Sequence, residues 1–276
     1  MTISERVAAF RKLHVPGKPF VIPNPWDGGS ARILEGLGFK ALATSSSASA
    51  LTLGRLDYGV TRAEAMAHCR LVAGAVDIPV SADLENGFGP SPEDCAETIR
   101  QAAETGLAGG SIEDSTGDPD APIFEKSRAV ERVAAAVEAA RRAKGGFVLT
   151  ARAEAYLHGR GDLNEVISRL QAFEEAGADV LFAPGLPDVA AIRTVCSSVG
   201  RPVNVLAPGK ITNASVASLA DAGAARISLG GGPAYAAYGA LVDLGEAIAR
   251  DGDFRALAAF GPGAKRVRTF LRSRPS

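Results

Sequence analysis

Pro79-Val80-Ser81-Ala82-Asp83-Leu84-Glu85-Asn86-Gly87-Phe88-Gly89 begins as a strand and ends as a turn. Apolar Val80, Ala82 and Leu84 alternate with Ser81, Asp83 and Glu85, a period of two. Gly87 and Gly89 bracket the turn, and Ser91-Pro92-Glu93-Asp94 is a helix start. Residues two apart on a strand face the same way, so Asp83 and Glu85 are expected to project together. Two carboxylates at the end of a buried strand repel each other and lose hydration unless something positive lies between them. On this stretch alone, a solvated strand end and a divalent-cation site both remain open.

Outward from this strand the same alternation repeats on both sides. Upstream are a helix over residues 3–13, a strand at 20–25, a helix at 28–37 closed by Gly38, and a strand at 41–47 with a polar far end. The loop Leu53-Gly54-Arg55-Leu56-Asp57-Tyr58-Gly59 leads to a helix opened by Thr61 with Glu64 three residues on, a capping box. Downstream, strands at 109–114, 147–154, 178–183, 202–207 and 226–229 alternate with helices, several closed by glycine (Gly106, Gly177, Gly223). Eight short apolar strands alternating with helices, without a linker, predict an α/β fold. The expected architecture is a single (β/α)8 TIM barrel over about 18–245, with an N-terminal helix and a C-terminal helical extension over about 250–272. An open doubly wound sheet has a similar rhythm, but no GxGxxG turn follows the first strand.

The chain has 276 residues, 46% of them hydrophobic, and a formal net charge of −1. This balance gives no electrostatic reason to expect nucleic acid or an anionic membrane surface as a partner. No apolar run approaches the roughly 20 residues of a membrane span, and the N-terminus lacks a signal-peptide core. Cys69, Cys95 and Cys196 lie scattered on helices without metal-ligand spacing, as small buried hydrophobes of a reducing compartment. The expected location is therefore cytoplasmic.

In a (β/α)8 barrel the chemistry gathers at the C-terminal ends of the strands. Those positions hold Asn24, Trp26 and Asp27; Thr44, Ser45, Ser46 and Asp57; Asp83 and Glu85; Glu113 and Asp114; Arg152 and Glu154; Asn204; and Ser228. Asp57, Asp83, Glu85, Glu113 and Asp114 thus share one mouth, and a hard divalent ion relieves such crowding. An all-oxygen set suits Mg²⁺ or Mn²⁺ rather than zinc, with one or two direct carboxylate ligands and the rest holding waters. The competing reading pairs these acids with Arg55, Arg152 and Lys210 around the rim. His158 is either an acid/base or a solvated loop residue. Tyr235 and Tyr238 are expected to pack, and Trp26 to shield the site or pack under a loop.

Four stretches now resemble the isocitrate lyase/phosphoenolpyruvate mutase superfamily. Asp83-Leu84-Glu85-Asn86-Gly87-Phe88-Gly89 is similar to its D-x-D-x-G-[FY]-G, with Glu for the second Asp. Ile112-Glu113-Asp114 resembles its [IL]-E-D, Ala151-Arg152-Ala153-Glu154-Ala155 its A-R-x-[ED]-A, and Leu53-Gly54-Arg55-Leu56-Asp57 its L-G-x-x-D. The resemblance implies a Mg²⁺-dependent lyase that cleaves a C–C bond next to a 2-oxo acid through a metal-stabilised enolate. It further implies that Asp83 binds the metal while Asp57, Glu85 and Glu113 hold its waters. Arg152, Ser45 and Ser46 would hold the substrate carboxylate, and Asn204 a distal group. The partner is then a small 2-oxo or 2-hydroxy carboxylic acid. The assembly is a homo-oligomer, dimer or tetramer, with C-terminal helices exchanged between subunits.

The chain also departs from that pattern. The K-[KR]-C-G-H loop of the isocitrate and methylisocitrate lyases, with its acid Cys, is replaced by residues 115–126, which contain neither Cys nor His. Ala183-Pro184-Gly185 stands where those lyases carry a Glu after strand six, and the Lys/Asn gate loop of the P–C bond enzymes is not evident. What remains favours retro-aldol cleavage or decarboxylation of an oxaloacetate-like acid. Three alternatives stand beside it. One is a P–C bond enzyme of the phosphoenolpyruvate mutase or phosphonopyruvate hydrolase type, and another a barrel that binds a 2-oxo acid without turnover. The third is a sugar-phosphate barrel suggested by Gly230-Gly231-Gly232 before a helix, with Pro208-Gly209-Lys210 as its weak counterpart after strand seven.

Overall fold

The structure, a computed structural model, describes residues 1–207, 211, 213–252 and 254–272. Eight parallel strands run β1 (Phe20–Ile22), β2 (Leu42–Ala43), β3 (Val80–Asp83), β4 (Gly109–Glu113), β5 (Val148–Arg152), β6 (Val180–Phe182), β7 (Val203–Leu206) and β8 (Arg226–Ser228). From β2 to β8 each strand pairs with the next, and β8 also pairs with β1. The result is a nearly closed barrel. The remaining seam, between β1 and β2, is stitched by few bonds. The Ala43 N–H donates to the Pro23 carbonyl at 3.1 Å. Asn24 adds a second, its Nδ2 donating to the Thr44 carbonyl at 2.9 Å, while its Oδ1 accepts from the Leu229 N–H at the end of β8, also at 2.9 Å.

The helices follow from local chemistry. Between β1 and β5 they are α2 (Gly28–Gly36), α3 (Ser46–Thr52), α4 (Arg62–Ala75), α5 (Pro92–Ala103) and α6 (Lys126–Arg142), preceded by α1 (Ile3–Leu13). After β5 come α7 (Leu163–Glu175), α8 (Val189–Ser198), α9 (Val216–Asp221), α10 (Gly232–Asp251) and α11 (Phe260–Leu271). Thr61 and Ser91 open α4 and α5 with capping boxes closed by Glu64 and Asp94. Gly38, Gly106, Gly177 and Gly223 all adopt positive φ after the helices they end. One expectation changes: the strand predicted over 41–47 stops at Ala43, because the Ser45 hydroxyl accepts from the Ala48 N–H and starts α3. Small polar serines at a strand end thus cap a helix rather than extend the pleat.

Two cores result. The larger packs the outward faces of the strands, such as Leu84, Ile112, Leu149 and Leu181, against the helices. The smaller plugs the barrel floor: Phe10 of α1, fully buried, meets Ile22, Ala41, Ala108, Val148 and Val180. Gly109 is required here, since a Cβ would lie 2.5 Å from the Val148 carbonyl and 3.1 Å from the Phe10 ring. The C-terminal α11 lies on α2, where Phe270 covers Gly36. Phe10→Ala is expected to cost about 3–5 kcal/mol, seen as a lower urea midpoint with an unchanged slope.

Candidate active site

Asp83 is the last residue of β3, held there by its N–H donating to the Thr44 hydroxyl at 3.1 Å. Glu85 adopts φ +48° and Phe88 φ +58°, so the chain leaves the pleat immediately after Asp83. The same-face arrangement expected of Asp83 and Glu85 on a continuing strand is therefore not what brings them together. A tight turn does so: the Glu85 N–H donates to Asp83 Oδ1 at 3.2 Å, and Asn86 Oδ1 accepts from the Phe88 N–H at 3.1 Å. Left-handed backbone at non-glycine residues costs of order 1–3 kcal/mol each and collects at functional sites. Tyr58, beside Asp57, is the third such residue at φ +60°.

Arg152, the last residue of β5, is the hub. Its Nη1 donates to Asp83 Oδ1 at 2.9 Å and lies 3.2 Å from Glu113 Oε2; its Nη2 lies 2.9 Å from Glu154 Oε1. Burial opposes its charge, but Glu154, Asp83 and Glu113 outweigh it and hold the guanidinium firmly protonated. Its face rests over the Phe182 ring, 5.0 Å from the centroid. Beside this cluster, Asp114 is buried against Arg169 at 3.2 Å and accepts from the Glu154 N–H at 2.7 Å, fixing the end of β4 to that of β5.

One guanidinium does not neutralise the carboxylates around it. Burial, then Asp83 and Asp57, push the Glu85 carboxyl up to about 8. Burial, then Asp83, also raise Asp57. Burial raises Glu113 well above the usual range against the pull of Arg152, and Glu154 up to about 7. The rim pairing with Arg55 fails, because Arg55 is taken by Glu64 and the Gly59 carbonyl. Lys210 lies outside the described residues, as does the Pro208-Gly209-Lys210 turn.

Ser46 donates from Oγ and N–H to Asp83 Oδ2 at 3.2 and 3.3 Å, while the Ser45 hydroxyl caps α3. Asn204 is buried deeper, donating to the Ser228 hydroxyl at 2.9 Å and accepting from Arg226 Nε at 2.8 Å. Glu113 faces Arg152 on one side and accepts from the Tyr58 hydroxyl on the other. His158 sits apart, beside Tyr58, Arg160 and residues 115–122. Tyr235 packs over Gly231 with half its surface exposed, Tyr238 is half-buried, and the Trp26 carbonyl meets His68 at 2.9 Å. Tyr58 and Arg226 were not singled out by the sequence reading. For Arg226 a signal exists, a lone cation inside an apolar strand.

Asp83, Arg152, Asp57, Ser45, Ser46 and Asn204 share a cavity of about 220 Å³. Its β5–β7 wall is apolar, with Leu157, Phe182, Pro184 and Leu206. Loop 115–127 folds onto itself through an antiparallel Ser115–Ile123 bridge, and Lys126 is turned to Ser168 at 2.5 Å. Among the described residues, no group of three acidic, His or Cys side chains is gathered as a ready metal cage. The donor chemistry still fits Mg²⁺, which takes few direct carboxylates and keeps its waters: Asp57, Asp83 and Glu85 are oxygen donors crowded and desolvated together.

Crowded carboxylates and one arginine thus gather at the C-terminal mouth of a parallel barrel, the face on which enzymes of this fold carry their active sites. The phosphoenolpyruvate phosphomutase family model matches residues 10–249, and the chain belongs to that family. It is 30% identical to the 2-methylisocitrate lyase of Escherichia coli (strain K12) over 211 residues, 74% of this chain and 70% of that one. The crystal structure of a candidate lyase/mutase from Burkholderia cenocepacia J2315 superposes with a TM-score of 0.93 at 47% identity, covering 99% of this chain and 98% of that one. A phosphonopyruvate hydrolase, solved in complex with oxalate and Mg²⁺, superposes with a TM-score of 0.83 at 26% identity, covering 98% and 95%. The superfamily thus comprises lyases, mutases and hydrolases of small acids, in agreement with the resemblance of the four sequence stretches. Among the described residues no helix is long and apolar enough to cross a membrane.

The raised Glu85 carboxyl carries a pH dependence. An acid whose folded value lies above its ordinary one favours the fold while protonated, so its contribution is complete below pH 4.5 and lost as pH rises through about 8. In metal-free solution Glu85→Gln should therefore melt above the native chain at pH 9 and no higher than it at pH 4, by differential scanning calorimetry.

Proposed function

We propose that this protein is a Mg²⁺-dependent lyase that breaks a C–C bond adjacent to a 2-oxo acid: with an oxaloacetate-like acid the electron pair stays on the 2-oxo fragment as an enolate, and in retro-aldol cleavage of a 2-hydroxy acid it leaves on the other carboxylate fragment as the hydroxyl carbon becomes the 2-oxo group. The observation that carries this reading is the juxtaposition, in one cavity, of Arg152 with the under-neutralised carboxylates Asp83 and Asp57, with Glu85 crowded behind Asp83. Asp83 would hold the ion, with Asp57, Glu85 and Glu113 on its waters. Bound there, Mg²⁺ supplies Lewis-acid polarisation of the 2-oxo group. Arg152 holds the carboxylate and the developing oxygen charge, a fixed cation that needs no reorganisation as the bond breaks. Ser45 and Ser46 line the same wall and offer hydroxyl donors, and Asn204 stands toward a distal group. The apolar wall of Leu157, Phe182, Pro184 and Leu206 excludes water and suits an aliphatic portion of the substrate. The protein is expected to be cytoplasmic and a homo-oligomer.

Nothing in loop 115–127 offers a thiol or imidazole to protonate a carboxylate leaving group, which favours cleavage or decarboxylation of an oxaloacetate-like acid over the retro-aldol of an isocitrate-like one. The P–C bond reading is disfavoured by Lys126, whose ammonium is engaged with Ser168.

Product formation from methylisocitrate, dimethylmalate-type acids, oxaloacetate and phosphonopyruvate, with Mg²⁺ and with EDTA, is the direct test. Pyruvate formed only with Mg²⁺, and abolished in Asp83→Ala, is expected. Turnover of phosphonopyruvate alone would select the P–C reading, and Mg²⁺-dependent binding without product the non-catalytic one. Arg152→Lys should lower kcat by about 10²–10³ with a smaller change in KM.

A further inference from the structure

Arg226 opens β8 inside the barrel, 5% exposed, on the floor of the same cavity. Every partner it has is neutral. Its Nε donates to Asn204 Oδ1 at 2.8 Å, its Nη2 to the Thr150 hydroxyl at 3.2 Å, and its Nη1 meets His14 Nε2 at 3.3 Å. His14 Nδ1 lies 2.9 Å from the Phe10 carbonyl, so Nδ1 carries the proton and Nε2 accepts from the guanidinium. Burial and the nearby Arg226 charge push His14 down to about 3, which keeps it neutral. These bonds use three of the five N–H groups an arginine carries, leaving one on each terminal nitrogen.

The contrast with Arg152 is direct. Arg152 has three carboxylates within ion-pair distance, whereas no described carboxylate pairs with Arg226. The charge nearest to it that matters is Arg152 itself, which, after burial, brings the guanidinium down to about 9. An unpaired buried cation is strongly destabilising, yet three elements (β5, β7 and α1) hold this one in a fixed fork. Above it the cavity is lined by small polar side chains, Ser81, Ser111 and Ser228, which leave space over the floor. Thr150, which Arg226 touches, stands two residues below Arg152, about 6.6 Å along the strand. The cavity therefore has a cation at each of two depths. Its 220 Å³ is the volume share of about seven waters, room for a small acid.

We propose that Arg226 is a specificity-determining residue, a second anion-binding element that receives the distal carboxylate of a dicarboxylic substrate whose other end meets Arg152. This rests on the reading of the cavity as a 2-oxo acid site. Asn204 then acts through Arg226, aiming the guanidinium, rather than by contacting the distal group itself.

Calorimetric titration with succinate and butyrate isolates the second charge, since the two differ by one carboxylate and neither needs a metal. The native protein is expected to bind succinate at least about tenfold more tightly than butyrate, and Arg226→Met to bring the ratio close to one. Oxalate, titrated with Mg²⁺, reports on the head-group site alone and should change less than about threefold. Arg226→Lys, which keeps the charge but loses the fork, should retain part of the ratio. If Arg226→Met does not fold, Ser111→Leu, which fills the space above an intact Arg226, should abolish the preference for succinate. A native ratio near one, a ratio unchanged in the variants, or equal losses for succinate, butyrate and oxalate would overturn the proposal. Failure of native protein to bind oxalate with Mg²⁺ would instead count against the lyase reading, leaving the succinate ratio as the judge of Arg226.

Discussion

Charge imbalance around Arg152 governs the upper half of this barrel. Three strands deliver carboxylates to a single guanidinium, and two further acids, Asp57 and Glu85, stand close enough to feel Asp83. Such a cluster is destabilising in isolation, since each buried carboxylate loses hydration and repels its neighbours. The fold tolerates it by spending the rest of its polar contacts there. Asp114 and Arg169 lock β4 to the following helices, Tyr58 and Ser115 close over Glu113, and Ser46 covers Asp83. The stable end of the barrel, plugged by Phe10 and backed by α1, is where the compensating apolar burial resides.

Much of this was legible before the structure, and the reasons are local. Helix caps such as Thr61 with Glu64 and the glycines after α2, α5, α7 and α9 depend on a few adjacent residues, so short motifs disclose them. Strand ends are likewise visible from alternation, and that placed Asp83, Glu113 and Arg152 at one mouth. What escaped depends on backbone dihedrals and long-range contacts. The left-handed turn at Glu85 reverses a simple period-two argument, and no composition cue distinguishes it from a continuing strand. The serines after β2 read equally as strand or as helix cap, and only the Ser45–Ala48 bond settles it. Arg226 escaped because its significance lies in partners 22, 76 and 212 residues away.

The polar content of the barrel interior sets the chemistry on offer. Most of the outward strand faces are apolar and serve only the helix layer, whereas the inward residues Ser81, Ser111, Thr150, Asn204 and Ser228 are small and hydroxylated or amidic. A hollow of this kind is wet unless an acid fills it. The loop after β4, which in the isocitrate lyase pattern carries the acid thiol, here closes on its own backbone through Thr116 and Pro122. Selectivity is thus pushed inward, to the walls and floor of the barrel, and away from a mobile chemical lid.

The seam between β1 and β2 has a wider consequence. Where the other neighbouring strands share ladders, these two are joined by one main-chain bond and the Asn24 Nδ2–Thr44 bond, while the other end of the same amide ties β1 to the end of β8. Asn24 also borders the cavity. Closure of the cylinder and the shape of the binding chamber therefore hang on the same side chain. The barrel behaves mechanically as a curled ribbon fastened by a clasp, and the place where it would first part is the chamber wall itself. Drift at this position cannot retune the ligand without loosening the cylinder, which makes the clasp a joint constraint on folding and recognition.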